Sequence, residues 1–377
     1  MPEIAEVARV VHYLRKNLVG KTLAVVKAPD DPIIFGKVGT SGPKFEKAMT
    51  GKKVLDANQQ GKYFWLIMSS PPHPVFHLGM SGWIHIRGEP NGHYRPKATK
   101  EDEEWPPEFW KFKLETDSQP KVEAAFADPR RFGRIRLVNC AAEDIKSTTP
   151  LIENGPDPVI DKDIFTAEWL EAKILSKRVP IKGFLLNQSM ISGIGNWVSD
   201  EILYNAKLHP EQYTNTFSSE MIKQLHKSIL YVCQTAVDLL GDSSKFPDEW
   251  LFNHRGVKSK TKAAITLPNG AKMIYLTVAS RSSCVVPSVQ KKIVEFPADV
   301  KKEDLNGGED AESEKEIKPK ARASNKRKAV VVEDEEVVKA EEEELDKDEP
   351  KGKAKKAKST PKAKIGKVKI KKASSED

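Results

Sequence analysis

The first twenty residues repeat their apolar positions at helical spacing. Ile4, Val7, Val10, Val11 and Leu14 recur three or four apart and Gly20 supplies a stop, which predicts a helix over 3–18. Beyond residue 53 the period changes. Short apolar or alternating runs at 63–68, 75–86, 112–115, 122–128 and 135–138, punctuated by Gly, Pro and Ser, predict an antiparallel sandwich or barrel. Residues 88–110 are polar and proline-rich, as in an inserted surface loop. Pro156 and Pro158 forbid a continuous helix through 154–158 and mark a linker. The helical period then returns, over 166–175, 181–187, 195–206 and 219–240. In the last of these, Ile222, Leu225, Ile229, Val232, Ala236 and Leu240 form one stripe, better explained as core than as a partner surface. Two apolar runs around Pro268-Asn269-Gly270, within 263–278, read as a hairpin because Asn-Gly suits a tight β-turn. The order is therefore mostly β, then helical, then one hairpin.

Composition sets the limits of this pattern. Residues 301–377 contain no Phe, Trp or Tyr and are dominated by Lys, Glu, Asp, Ala and Ser, so no core forms there and a disordered tail is expected. The net charge of +8 points to a polyanion partner, most often nucleic acid. Cys140, Cys233 and Cys284 are odd in number and far apart, which excludes a disulfide framework and a four-cysteine zinc site and fits a reducing compartment. The longest apolar run, 228–240, is interrupted by Gln234, Thr235 and Asp238 and is too short to span a bilayer. Glu3, Glu6 and Arg9 stand where a signal peptide needs apolar residues, so a soluble, non-secreted protein is expected.

Candidate chemistry begins at Met1-Pro2-Glu3. Removal of Met1 exposes the secondary amine of Pro2 beside a carboxylate. An α-amino group titrates near 7.7–8.0 and a free lysine near 10.4, so the terminal amine is the better nucleophile at neutral pH. Its condensation with an aldehyde-level carbon gives an iminium that cannot lose its charge at nitrogen, an electron sink for elimination. Elsewhere the residues leave alternatives open. Gly193-Ile194-Gly195-Asn196 leads into a helix and reads either as a phosphate site or as a tight turn. Arg130 and Phe132 point the same way in an extended segment, as a base-stack wedge or as a core phenylalanine beside solvated arginines. Lys62 follows a glycine turn, as an edge-strand charge or a phosphate contact.

Five fragments then occur in an order that resembles one family. Met1 to Val7 (MPEIAEV), Gly61-Lys62-Tyr63, His77 to Gly82 (HLGMSG), Asp128 to Gly133 (DPRRFG), and Leu185-Leu186-Asn187-Gln188 followed by Gly193 to Asn196 are similar to formamidopyrimidine-DNA glycosylases, over about residues 1–292. The resemblance implies an α+β fold: an N-terminal helix on a two-layer antiparallel β-sandwich, a helix-two-turns-helix domain, and a finger hairpin. It implies Pro2 as the nucleophile that forms a Schiff base at C1′, Glu3 as general acid, and Glu6 as a supporting acid. It further implies Lys62, Lys182 and Asn196 as phosphate ligands, Lys62 also close to the chemistry, with Met80, Arg130 and Phe132 filling the hole left by a flipped base.

Departures from the family pattern matter as well. Ala5 and Ala8 replace the usual Pro and Glu, and Asn187 replaces an Asp. Where the family carries the last two cysteines of a zinc finger, this chain has Val286 and Val289, and the earlier pair is missing too. It resembles the zincless-finger members of fungal and plant type, with Arg281 as the arginine presented to DNA and no metal or other cofactor. The implied division is a sandwich domain over 1–145, a linker over 146–160, a helix-two-turns-helix domain over 161–255, a zincless finger over 256–295 and a charged tail over 296–377.

The implied function is a bifunctional glycosylase and abasic-site lyase of base excision repair, acting as a monomer on damaged double-stranded DNA in the nucleus. Import receptors or repair proteins are the expected tail partners, through Lys326-Arg327-Lys328 and the lysine-rich run 351–372 around an acidic block at 333–349. Only 241–253 separates the last long helix from the hairpin, and bacterial members have a longer loop there over flipped 8-oxoguanine. Preference for formamidopyrimidines, hydantoins and abasic sites is therefore expected. Two other classes compete: a proline tautomerase, which shares the Pro2 logic but is a small chain, and a non-catalytic DNA-binding protein.

Overall fold

The computed structural model describes residues 2–89, 105–255 and 266–292. The expected loop at 88–110 falls mostly, and the charged tail wholly, outside them.

Helix α1 (Ile4–Leu18) starts directly after Glu3, whose amide donates to Glu6 Oε2 at 2.8 Å. That bond satisfies one of the amides a helix start leaves open. There follow β1 (Leu23–Lys27), α2 (Gly42–Met49), β2 (Val54–Gln60), β3 (Tyr63–Met68), β4 (His73–His77), β5 (Trp83–Ile86), β6 (Trp110–Thr116), β7 (Glu123–Ala127) and β8 (Arg134–Val138). They form two antiparallel four-stranded sheets, in the orders β1-β6-β7-β5 and β2-β3-β4-β8. Phe45, Phe64, Phe76, Phe112 and Phe126 are buried in the sandwich core, Phe64 stacked on Phe76 at 5.0 Å. Burying each such side chain contributes about 1.5–3 kcal/mol.

The helical half contains α3 (Ala167–Leu175), α4 (Ile181–Leu186), α5 (Asn196–Asn205) and α6 (Ser219–Asp238), and the chain continues into β9 (Ile274–Val278) and β10 (Arg281–Val285). Helix α1 belongs to both halves. Val7, Val10, Val11, Leu14 and Leu18 join the sandwich core, while Ile4 and Ala5 are buried with Ile181, Ile194, Val198 and Ile229 in the helical one. The expected apolar stripe of the last helix is core here, with Ile222, Leu225, Ile229, Val232 and Ala236 buried.

Three expectations need correction. The run 75–86 is not one strand: the chain leaves one sheet at His77, turns through Leu78 to Gly82, and enters the other at Trp83. Both faces of each piece are apolar, so the pattern hid the break. Strands β1 and β2 and helix α2 had no counterpart in the sequence reading: β1 is only five residues long, and the apolar positions of β2 and α2 are few. The finger ladder does not turn at Pro268-Asn269-Gly270, which closes a smaller loop through a Thr266–Lys272 bridge. It turns at Ala279-Ser280, between Val278 and Arg281. Those two residues have φ of 51° and 58°, a left-handed pair without glycine or asparagine to announce it.

Candidate active site

Glu3 is 2% exposed and sits at the start of α5. Its two carboxylate oxygens accept the amide hydrogens of Trp197 and Val198, each at 3.1 Å. A free helix N-terminus favours an anion, and here the anion comes from the far end of the chain. Gly195 makes the approach possible: a Cβ there would stand 2.2 Å from Glu3 Cδ. The junction is tied a second time by Ile4 N–H, which donates to the Gly193 carbonyl at 3.0 Å. Gln188 braces the same loop, accepting from Gly193 N–H at 3.0 Å and donating to the Ile194 carbonyl at 2.8 Å. Asn187, three residues past α4's midpoint, closes a turn by accepting from the Ser189 amide and hydroxyl.

Pro2 and Glu6 are buried beside Glu3. Burial raises the Glu3 carboxyl above its ordinary range, against the lowering influence of Lys62 and the two α5 amides. Burial, with the charge of Glu3 behind it, pushes Glu6 up to about 7. Two carboxyls this close and this dry do not both ionise readily, so the pair holds a proton into the neutral range. That is a suitable acid and base for chemistry at the adjacent amine.

Lys62 opens β3 after a turn held by the linker, where Gly61 N–H donates to Asp157 at 2.8 Å. Strand pairing brings His77 opposite Tyr63 on one side and Arg134 on the other. Burial, then Lys62, Arg136 and Arg134, pushes His77 down to about 4, so it stays neutral at physiological pH. Its Nδ1 accepts from Gly79 N–H at 3.0 Å. Lys62, Arg134 and Arg136 thus cluster electrostatically around one histidine. His77, Arg134 and Arg136 were missed by sequence reasoning, although the first lies in a quoted motif and the arginines alternate along β8.

The wedge residues come together on adjoining turns. Asp128 is fully buried and accepts from Ser81 Oγ at 2.7 Å, Gly133 N–H at 2.7 Å and Arg130 N–H at 3.2 Å. A Cβ on Gly79 would lie 2.4 Å from the Phe132 carbonyl carbon, so the turn carrying Met80 rests directly on the one carrying Phe132. Arg131 turns away, with φ of 57° and two bonds to Asp31 at 2.8 and 2.9 Å. Phe132 is left 44% exposed, with the Arg130 guanidinium 5.1 Å from its ring centre. The core reading of Phe132 is therefore excluded.

Lys182 is placed differently from expectation. Its side chain is fully buried, with Nζ donating to Asp200 Oδ1 at 2.5 Å and to the Asn196 carbonyl at 3.0 Å. An ammonium held this way is not offered to a phosphate. It fixes the backbone of Asn196, which is 8% exposed and whose Oδ1 has no partner among the described residues. Arg281 is partly exposed at the start of β10. Val286 and Val289, at the family's cysteine positions, pack with Leu251, Leu267, Met273 and Cys284. Among the described residues no group of three His, Cys, Asp or Glu side chains is arranged to hold a metal ion.

Known proteins match both halves of the chain. The family model for the formamidopyrimidine-DNA glycosylase N-terminal domain matches residues 1–135, and that for the formamidopyrimidine-DNA glycosylase H2TH domain matches 154–248. A formamidopyrimidine-DNA glycosylase of Arabidopsis thaliana is 35% identical over 323 residues, covering 85% of this chain and 75% of its own. One from Lactobacillus helveticus is 30% identical over 241 residues, 64% of this chain and 79% of its own. Among solved structures, the Lactococcus lactis enzyme bound non-covalently to DNA containing an abasic site aligns with a TM-score of 0.62 at 26% identity. That alignment covers 77% of this chain and all of the other.

Proposed function

This chain belongs to the formamidopyrimidine-DNA glycosylase family, and from that premise we propose how its own residues carry out the reaction. The enzyme excises oxidised bases from DNA and cleaves the resulting abasic site. The observation that carries the residue assignment is the Glu3 carboxyl, held on the α5 amides beside Pro2 and within the influence of Lys62.

With Met1 removed, the Pro2 nitrogen attacks C1′ of the flipped nucleotide, the bond from C1′ to the base breaks, and the proton shed by the nitrogen passes to the departing base. Glu3 protonates the ring oxygen as the sugar opens, leaving an iminium on Pro2. The Glu3 carboxylate left by that step takes a C2′ proton, the C3′–O bond breaks with release of the phosphate, and water frees the sugar from Pro2. Glu6, holding a proton near neutrality, supplies or receives protons behind Glu3. Lys62 and Asn196 hold phosphates flanking the nucleotide. Met80 and Phe132 occupy the vacated stack and Arg130 faces the orphaned base. Lys182 contributes only through Asn196. The implied domain limits, at 145, 160, 255 and 295, belong to the same reading.

Borohydride reduction tests the assignment directly. Incubation with abasic duplex should give a covalent adduct at Pro2, and an uncleaved N-terminal tag or Pro2→Gly should abolish it while leaving DNA affinity nearly unchanged. Strand cleavage by the tagged protein at the untagged rate would remove Pro2 from its role. A tautomerase or an architectural protein would form no adduct.

The finger ladder begins at Ile274, so the chain between α6 and the hairpin is longer than the expected 241–253 and includes 256–265, outside the described residues; its described part, up to 255, supports the expected substrate preference. Phe246, Trp250 and Leu251 are buried, with Phe246 and Trp250 against Trp197, so much of it is committed to packing rather than free to cover a base. Formamidopyrimidines, hydantoins and abasic sites should be processed faster than 8-oxoguanine in matched duplexes. The lysine clusters at 326–328 and 351–372 are read as nuclear import signals and a DNA tether. Truncation after Lys302 should leave single-turnover excision unchanged and reduce nuclear accumulation and salt-sensitive affinity.

A further inference from the structure

Asp200 is 2% exposed and collects three donors from three separate parts of the chain. Lys182 Nζ of α4 approaches Oδ1 at 2.5 Å, Arg255 Nη2 approaches Oδ2 at 3.1 Å, and the Cys284 backbone N–H of β10 donates to Oδ2 at 3.1 Å. A buried carboxylate needs this much compensation. Burial works against the charge on both cations: Arg255 is nonetheless raised, by Asp200 above all, whereas Lys182 is lowered although Asp200 opposes it.

The placement of these partners matters more than their number. Asp200 lies one helical turn after Asn196 on α5, the same helix whose first amides hold Glu3. Cys284 lies three residues along β10 from Arg281. The hairpin tip also leans on α4 beside Lys182, since a Cβ on Gly183 would meet the Ala279 Cβ at 3.3 Å. One stretch of α5 thus holds the acid of the reaction at one end and the finger strand at the other. In a zinc finger, a metal and its ligands impose the hairpin's shape. Here small apolar side chains pack the hairpin, and they carry no directional bond to the active site.

We infer that Asp200 is a positioning residue that fixes the finger arginine, Arg281, relative to the Glu3 end of α5, and so couples DNA engagement by the finger to base excision. The inference rests on the proposed role of Arg281. Asp200 touches neither substrate nor reacting atoms; the coupling inferred here runs through Arg281, whereas any effect that runs through Lys182 to Asn196 would persist without Arg281 and multiply with its loss.

A double-mutant cycle reads this coupling. Arg281→Ala, Asp200→Asn and the double variant are compared in the full-length protein for single-turnover release of a formamidopyrimidine base at saturating enzyme. Nicking of a duplex that already contains an abasic site is measured in parallel. Arg281→Ala alone should slow base release about tenfold or more and nicking much less, because an abasic site leaves no base to extrude. No loss from Arg281→Ala would defeat the reading of that arginine rather than the coupling. Given that loss, Asp200→Asn should show the same selective defect, and the double variant should be no slower than the slower single. Multiplying defects, or equal losses of release and nicking from Asp200→Asn, would overturn the inference. Should Asp200→Asn fail to fold, Arg255→Gln, which spares the Lys182 pair and the Cys284 amide, goes through the same cycle with a smaller defect expected. An Arg255→Gln defect that multiplies with Arg281→Ala would overturn it equally.

Discussion

Asp157, in the linker, accepts the amide hydrogen of Gly61, in the turn that delivers Lys62. The same buried carboxylate takes the amides of Val159 and Ile160, at 2.9 and 3.2 Å. The linker is thereby fastened to the sandwich at the point where it borders the active site. Asp157→Ala would leave three amides without their acceptor in a dry setting, at about 1–3 kcal/mol each before relaxation. Urea unfolding should show a loss of at least about 2 kcal/mol, and excision should fall further than the folded fraction accounts for. Unchanged excision per folded molecule would mean that the turn needs no such brace.

Gly195→Ala is expected to separate folding from catalysis. The added methyl would occupy the space of the Glu3 carboxyl, 2.2 Å from Cδ, and displace it from the Trp197 and Val198 amides. Base release should drop by about two orders of magnitude, which corresponds to roughly 2.7 kcal/mol in the barrier. Glu3→Gln should show a comparable loss. Wild-type rates in Gly195→Ala would show that the carboxyl works equally well elsewhere.

Phe132 contributes exposed area rather than core. Phe132→Ala should change stability by less than about 0.5 kcal/mol. It should slow extrusion of a damaged base about tenfold while leaving nicking of a preformed abasic site nearly intact. A large fall in melting temperature would contradict the exposure seen here.

Stability should decline as pH rises through the neutral range. Burial pushes Glu201 up to about 8, although Leu251 and Phe252 amides donate to it. The unfolded carboxyl titrates near its ordinary 4.5. Between those values the folded state binds the extra proton, so unfolding free energy falls by up to about 1.4 kcal/mol per pH unit. Glu6, raised to about 7, adds the same sign over the lower part of the window. Glu201→Gln should flatten the slope from pH 5 to about 8, a neutral amide resembling the protonated acid. A slope left unaltered in that variant would assign it to other groups.

Chelators should leave activity unaffected. The valines at 286 and 289 offer no ligand, and the hairpin is held by its apolar cluster and by Asp200. Stoichiometric zinc whose removal inactivates the enzyme would contradict this.

The sequence disclosed helices whose apolar stripes were long, such as α1 and α6, and motifs whose residues are chemically distinctive. It was silent where geometry came from backbone strain or from contacts distant in the chain. The Ala279-Ser280 turn has no residue that announces a positive φ. Lys182 was expected at a phosphate, because nothing local reveals that Asp200, eighteen residues on, would pair with it in the interior. Asp157, Asp200 and Glu201 did not stand out in the sequence, since their partners Gly61, Cys284 and Leu251 lie 96, 84 and 50 residues away.

Helix α1 also imposes an order of events on synthesis. Ile4 and Ala5 pack with residues from 165 to 250, so the start of the chain finds no home until that region has left the ribosome. At roughly 5–20 residues per second, about twelve seconds or more must pass first. A segment made early is thus covered late, and α1 stays half-clad while the rest of the enzyme is being built.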